Sequence, residues 1–392
     1  MTPIPSLVHS AEKASRILGG LPDPVFTYGL EIRSTPPAWD WSRIRSMEES
    51  VSDFTYSHTH EGGVHVMDFS LAASHSPALL EGAGSLLRED SPLAMLHLSR
   101  VRNGLLVHIP SHVRSEAPIL LPSLPLTFSH YLIVAEPHSS VSLILPESHP
   151  SHTSFVSTVV EVFAASHSKV SIVSQQTFPL SCVRSSFKRA HVSDHASVDW
   201  FWVEHGTAFS ISEISSDLQG EESSTQNIGV VTGSDSQIFD LDQSVYHFYP
   251  SSKSRLLTRG VLDDSAKCVY RGLLKMTPNA PGSIGNQRAD FLLLSPSSEA
   301  DPVPALEIEG SEVRCSHAAT VGRLDREKLF YLSSRGLSEE VARSLYIQGF
   351  LEHLLKQFPL HDSMEAVRSC LAQSLDLSSH VDSLGVPEEG FS

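Results

Sequence analysis

The tetrapeptides His138-Ser139-Ser140-Val141, His167-Ser168-Lys169-Val170 and His195-Ala196-Ser197-Val198 share one pattern, a histidine, a small residue, any residue and a valine, and their valines stand 29 and 28 residues apart. Asp235-Ser236-Gln237-Ile238 and Ser265-Ala266-Lys267-Cys268 read as weaker copies, Cys268 lying 30 residues after Ile238. Each copy is a turn feeding a short apolar run. Such a period marks a stacked array, in which one unit cannot bury its own apolar face and neighbours must cover it. The runs are short and β-branched, as in Tyr131-Leu132-Ile133-Val134 and Val141 to Leu145. That composition selects a β-helix or a stack of paired strands over an α-solenoid. A plain β-sandwich with similar turns is the competing reading.

The sequence on either side has a different texture. Residues 1–100 combine a short helical pattern from Ala11 to Leu18, a Pro-rich region from Leu21 to Trp41 and a polar segment with His58, His60 and His65, expected to be a loop around Gly62-Gly63. We expect a small, partly helical unit there, a β core over 101–322 and a helical unit over 323–392. In that last unit Asp325 caps a helix closed by Gly336, and Ser338 caps a second that Pro359 stops. Val341, Leu345, Tyr346, Ile347, Phe350, Leu351, Leu354, Leu355 and Phe358 cover most of its circumference, so more than one neighbour must bury it. A third helix from Ser363 to Leu377 and a polar tail from Ser378 to Ser392 are expected beyond it.

Composition narrows the function. The 392 residues carry 28 Lys plus Arg against 45 Asp plus Glu, a formal charge of −17, with 40 % hydrophobic residues. A packed core follows, and wholesale disorder is excluded. The acid excess argues against duplex nucleic acid as the main partner, since that binding rests on basic side chains. Four scattered cysteines make no disulfide framework and suggest a reducing, cytoplasmic setting. The N-terminal stretch lacks the pattern of a secretory signal, and Pro residues break the apolar stretch from Ala117 to Ala135.

P-loop, dinucleotide, H-E-x-x-H and G-x-S-x-G signatures are absent. The acidic segment Asp217 to Glu222 reads as a solvated loop, although a polysaccharide-active β-helix enzyme would use such carboxylates. His247, among aromatics, reads as a core histidine. Cys315-Ser316-His317 is the most suggestive chemistry. If it continues a strand from Leu306 to Arg314, the period of two puts thiol and imidazole on one face, within reach of one metal ion. Two donors are short of the four that zinc or iron–sulfur centres take, so others must come from elsewhere in this chain or from another. A packed cysteine beside a hydrogen-bonded histidine is the alternative.

Pro304 to Phe350, PALEIEGSEVRCSHAATVGRLDREKLFYLSSRGLSEEVARSLYIQGF, resembles the C-terminal signature of the SufB/SufD family of iron–sulfur cluster assembly proteins. Gly104 to Pro110 with Ala117-Pro118-Ile119, Tyr246-His247 through Ser254 to Leu262, and Asn286-Gln287-Arg288 to Ser295 resemble it too, in the family's order. Length, low cysteine count and the Cys-Ser-His tripeptide are more similar to the SufD branch. The resemblance implies a right-handed parallel β-helix between small helical regions. It also implies a non-catalytic scaffold that pairs with a SufB-like paralogue through the β-helix and docks a SufC-like ABC ATPase, chiefly through the C-terminal helices, where Tyr346 and Phe350 would face the partner. His317 falls on a histidine implied to help hold a nascent cluster at that interface, and Cys315 on its neighbour. A transient iron–sulfur cluster shared with the partner is the implied cofactor; a flavin is compatible with the family, and nothing in the sequence indicates one. Ala318 departs from the glycine expected there.

Overall fold

A computed structural model describes residues 5–28, 32–33, 39–48, 54–60, 62–148, 154–176 and 178–359. The third C-terminal helix and the tail expected from the sequence lie outside them. Among the described residues there are six α-helices: α1 (Pro5–Gly20), α2 (Trp41–Arg45), α3 (Phe69–His75), α4 (Pro92–Arg100), α5 (Arg326–Ser334) and α6 (Glu339–Leu355). The first strands are β1 (Thr27–Tyr28), β2 (Ile32–Arg33), β3 (Ser57–Thr59), β4 (His65–Asp68), β5 (Leu105–Ile109), β6 (Ile119–Leu120) and β7 (Phe128–Ala135). Then come β8 (Ser140–Glu147), β9 (Phe155–Ala164), β10 (Lys169–Gln176), β11 (Val183–Val192), β12 (Ser197–His205), β13 (Phe209–Leu218) and β14 (Ser224–Gly233). The last are β15 (Ile238–His247), β16 (Lys253–Leu262), β17 (Lys267–Met276), β18 (Ile284–Leu293), β19 (Glu299–Ile308) and β20 (Arg314–Arg323).

From β7 onward the chain alternates between two parallel sheets. Odd strands run in the order β19-β17-β15-β13-β11-β9-β7-β5, extended by the antiparallel β4 and β3; even strands run β20-β18-β16-β14-β12-β10-β8-β6. The result is a mainly β, parallel solenoid of about seven turns. Register holds from turn to turn: Val141, Val170 and Val198 are successive partners, and their row continues through Thr225, Ser254 and Gly285 to Cys315. The three histidine tetrapeptides therefore each enter the even sheet. Ile238 and Cys268 open odd strands instead and are not partners, since Ile238 pairs Lys267 and Phe239 pairs Cys268. They copy the turn chemistry of the opposite corner rather than the same repeat. Two strands per turn, each with a period of two, give the same local pattern.

The lumen is apolar over most of its length. Trp200 and Trp202 on β12 lie inside it, and an alanine Cβ at Gly229, on the adjoining strand, would fall 1.8 Å from the Trp202 ring. Only glycine allows that approach.

Both outer faces are partly covered. The N-terminal helices pack Phe69, Leu93, Met95 and Leu96 against Leu132, Phe155, Val159, Phe187, Phe209 and Ile211 of the odd sheet. Buried Glu161 fastens this cover, accepting from Gly84 N at 2.5 Å, Leu86 N at 2.7 Å and His130 Nε2 at 2.8 Å. On the even sheet α6 lays Ile347, Leu351, Leu354 and Leu355 over Phe201, Val203, Ile228, Val230 and Leu257. Its caps lie where the sequence puts them. Asp325 Oδ1 accepts from Glu327 and Lys328, Gly336 has φ +95°, and Ser338 Oγ accepts from Val341 N at 3.3 Å.

Candidate functional site

Among the described residues no cap covers the last turn of the solenoid. β19 and β20 are the terminal strands of the two sheets, each ten residues long, and each pairs on one side only. Val303, Ile308 and Val321 are exposed there. Long uncovered strand edges are templates for another chain. The two edges differ. Glu299 and Glu309 donate their N–H groups back to the preceding odd strand's turn, so the alternation of a parallel strand turns even-numbered donors outward on β19, where Pro302 and Pro304 have none. On β20 the even-numbered Arg314 N bonds back to Ser283, and Leu324 N just beyond it bonds to Leu293. The N–H groups of Cys315, His317, Ala319 and Val321 therefore face the open edge.

Cys315 and His317 also share the lumen-side row. His317 continues the series Leu143, Ile172, Trp200, Asn227, Leu256 and Gln287. In earlier turns those positions are buried by the following turn; among the described residues no strand stacks on β20, and His317 is exposed and Cys315 half-buried. The strand is not the one the sequence suggested. Leu306 belongs to β19 in the opposite sheet, and residues 309–313 make the corner between them. Burial pushes the Cys315 thiol up despite a hydrogen bond with the Gly285 backbone, so it stays protonated at neutral pH. No group of three His, Cys, Asp or Glu among the described residues is placed to hold a metal.

The other candidates are distributed along the coil. Tyr346 is half-buried with the Lys328 ammonium 5.6 Å from its ring centre, and Phe350 is half-buried under the Arg259 guanidinium at 5.1 Å. The more exposed apolar groups are on α5, Phe330 at 76 % and Tyr331 at 57 %. Phe330 edges a groove of about 650 Å³ with Leu324, Leu329, Arg326 and Arg343. The short α5 pattern hid them, because an exposed aromatic and a core aromatic look alike in sequence. His58 and His65 lie in a β-hairpin, β3 with β4, rather than a loop, because β4 pairs β5 and extends the odd sheet. His247 is a core histidine: Ser252 Oγ at 2.7 Å and Ser254 Oγ at 2.8 Å engage its two nitrogens, and burial pushes its pKa down to about 4. Asp217 ends β13, and Glu221 and Glu222 form an exposed corner.

The family model described as SUF system FeS cluster assembly, SufBD core domain, matches residues 122–350, every solenoid turn from β7 to β20 together with α5 and most of α6. The chain belongs to the SufBD family. Among SufBD relatives, the iron–sulfur cluster assembly protein SufD of Bacillus subtilis (strain 168) is 28 % identical over 281 residues, 69 % of this chain and 64 % of that protein. A SufBD family protein of Staphylococcus epidermidis is 25 % identical over 286 residues, 71 % of this chain and 62 % of its own length. The matched region thus spans less than two thirds of these SufBD relatives. Among the described residues no helix is long and apolar enough to cross a membrane.

Proposed function

We propose that this chain is a SufD-like scaffold subunit of a cytoplasmic iron–sulfur cluster assembly complex, with no catalytic step of its own. Its division into an N-terminal cover (1–100), a right-handed coil (101–322) and a C-terminal helical unit (323–392) belongs to the same reading; parallel crossovers between twisted strands wind right-handed. The open edge of β20 pairs with a SufB-like paralogue. The α5 face, with Phe330 and Tyr331 at its centre and Tyr346 and Phe350 at its margin, docks a SufC-like ABC ATPase.

One observation carries the proposal. Cys315 and His317 stand on a terminal strand that, among the described residues, pairs only with β18, with the His317 side chain exposed, Cys315 half-buried beside it and both N–H groups directed at the open edge. The cluster is cargo rather than a resident cofactor, and two donors of mixed type suit a site completed across the pairing seam. The Nε2 or Nδ1 atom of His317 supplies one ligand, and Cys315 a second once deprotonated. Anaerobic reconstitution of wild-type and His317→Ala complexes tests this, reading iron and sulfide per complex alongside pairing affinity. The variant is expected to pair normally and hold at most half the iron and sulfide; full cluster content in an intact pair would reduce His317 to a contact residue.

A further inference from the structure

His112, His138, His167 and His195 occupy the same corner of four successive turns, each with left-handed backbone, φ +64°, +62°, +62° and +54°. Glycine or asparagine is the ordinary choice at such a position. Their rings stack instead, with centroids 5.0, 4.7 and 4.7 Å apart and planes within 6°, 6° and 8° of parallel. All four are exposed at the surface. Each backbone N–H donates along the solenoid axis: His112 to Pro137 O at 3.1 Å, His138 to Ser166 O at 3.1 Å, His167 to Asp194 O at 2.9 Å and His195 to Glu221 O at 2.8 Å. The same corner continues through Glu222, Ser251 and Gly282 with the same hydrogen bonds and no imidazole. The histidines are therefore an addition to a corner that closes without them.

A metal site does not explain the stack. Among the described residues no three His, Cys, Asp or Glu side chains are placed to hold one ion, short of the usual four zinc ligands. The stack is compatible with neutral imidazoles and strained by adjacent imidazolium ions. The charges around it are uneven. Glu222 Oε2 lies 3.3 Å from His195 Nδ1 at one end. At the other, Glu136 accepts from Ser111 N and His108 Nε2. Asp194 Oδ1 is engaged by Glu221 N, beside exposed Glu221 itself. Arg114 acts on His138, and Lys169 stands exposed two residues past His167. The inner rings are thus flanked by cations and by each other.

We propose that the four-histidine stack is a proton-operated seam, which clamps this corner of the coil while its rings are neutral and opens it when mild acid charges them. Desolvation, then His167 and His112, then Arg114 hold His138 below the ordinary imidazole range. The sign follows. The unfolded or opened chain takes the proton more readily than the stacked one, so the clamp is complete above about pH 6.5 and weakens as pH falls below it.

Hydrogen exchange of the full-length chain at pH 7.5 and 5.5, corrected for intrinsic rates, reads the seam directly. Protection of peptides covering His112, His138, His167 and His195 is expected to fall at least about tenfold at the lower pH. The stretch covering Glu222, Ser251 and Gly282 should change less than twofold. In a His138→Asn, His167→Asn double variant, whose asparagines accept left-handed backbone and do not titrate, the difference should shrink to twofold or less. Equal loss along the whole corner, or an unchanged pH response in the double variant, would overturn the proposal. Imidazole Cε1–H titrations of the wild-type chain give a second readout that needs no variant. His138 should titrate below the ordinary imidazole range; its titration at the free-imidazole position would contradict the seam, as would stoichiometric zinc binding at pH 7.5 that the double variant loses.

Discussion

Replacing Arg184 by Met perturbs a buried charge cluster in the solenoid interior. Arg184 is completely buried; its guanidinium reaches Glu204 at 2.7 and 2.9 Å, Ser210 Oγ at 3.1 Å and, by a very short contact, Glu147. Lys188 Nζ stands 2.8 Å from the other oxygen of Glu147. Two cations and two carboxylates balance, and none touches water. Burial alone would raise Glu147, but Arg184 and Lys188 outweigh it and hold its pKa down to about 2. Removing Arg184 leaves Glu204 buried with only the Ser210 hydroxyl. Breaking a buried pair this way costs about 3–5 kcal/mol, a large part of the 5–15 kcal/mol that typically holds a fold. The pH signs separate the cases. In the wild type Glu147 binds its proton more weakly folded than unfolded, so its contribution is present above about pH 4.5 and lost as pH falls toward 2. In Arg184→Met an orphaned Glu204 is pushed up, so that variant regains stability as pH falls from 7 toward 4.5. Urea midpoints at pH 7 and 4.5, read from the buried Trp200 and Trp202 fluorescence, test both. Arg184→Met, Glu204→Gln restores neutrality and should recover at least about 2 kcal/mol over the single variant. A single variant within about 1 kcal/mol of wild type, or a double variant no better than it, would refute the reasoning.

Gly229→Ala should lower stability by about 1–3 kcal/mol and shift tryptophan emission, because the new methyl meets Trp202 with no room to move; an unchanged thermal melt would show that the ring can yield. Phe330→Asp should leave circular dichroism intact, since that ring is 76 % exposed, yet abolish co-purification of the ATPase subunit; retained co-purification in this and a Tyr331→Asp variant would move the docking surface elsewhere.

The parallel coil was legible because its corners are chemically repetitive: His138, His167 and His195 recur with the strand register, and Val141, Val170 and Val198 do become neighbours. The split into two sheets was not. Odd and even strands have equal length and the same alternation, so Ile238 and Cys268 looked like members of the first series. The covers were half legible. The apolar circumference of α6 announced a buried helix, and the structure lays it on outward-facing Phe201, Ile228 and Leu257, which a strand pattern alone assigns to the core. Cys315 and His317 were visible as a pair with period two. Their exposure depends on the absence of a further turn among the described residues and on Pro302 and Pro304 blunting the other edge, both matters of topology.

The central claim is that the open edge of β20 is the pairing seam. Ala319→Pro removes an N–H that points away from β18 at the open edge of the described residues and places a ring where the next strand would lie. The decisive measurement is the affinity of wild-type and Ala319→Pro chains for the SufB-like paralogue, with circular dichroism confirming an unchanged fold. We predict a loss of about a hundredfold, some 3 kcal/mol. Undiminished affinity in the folded variant would contradict pairing through β20 and detach Cys315 and His317 from the interface.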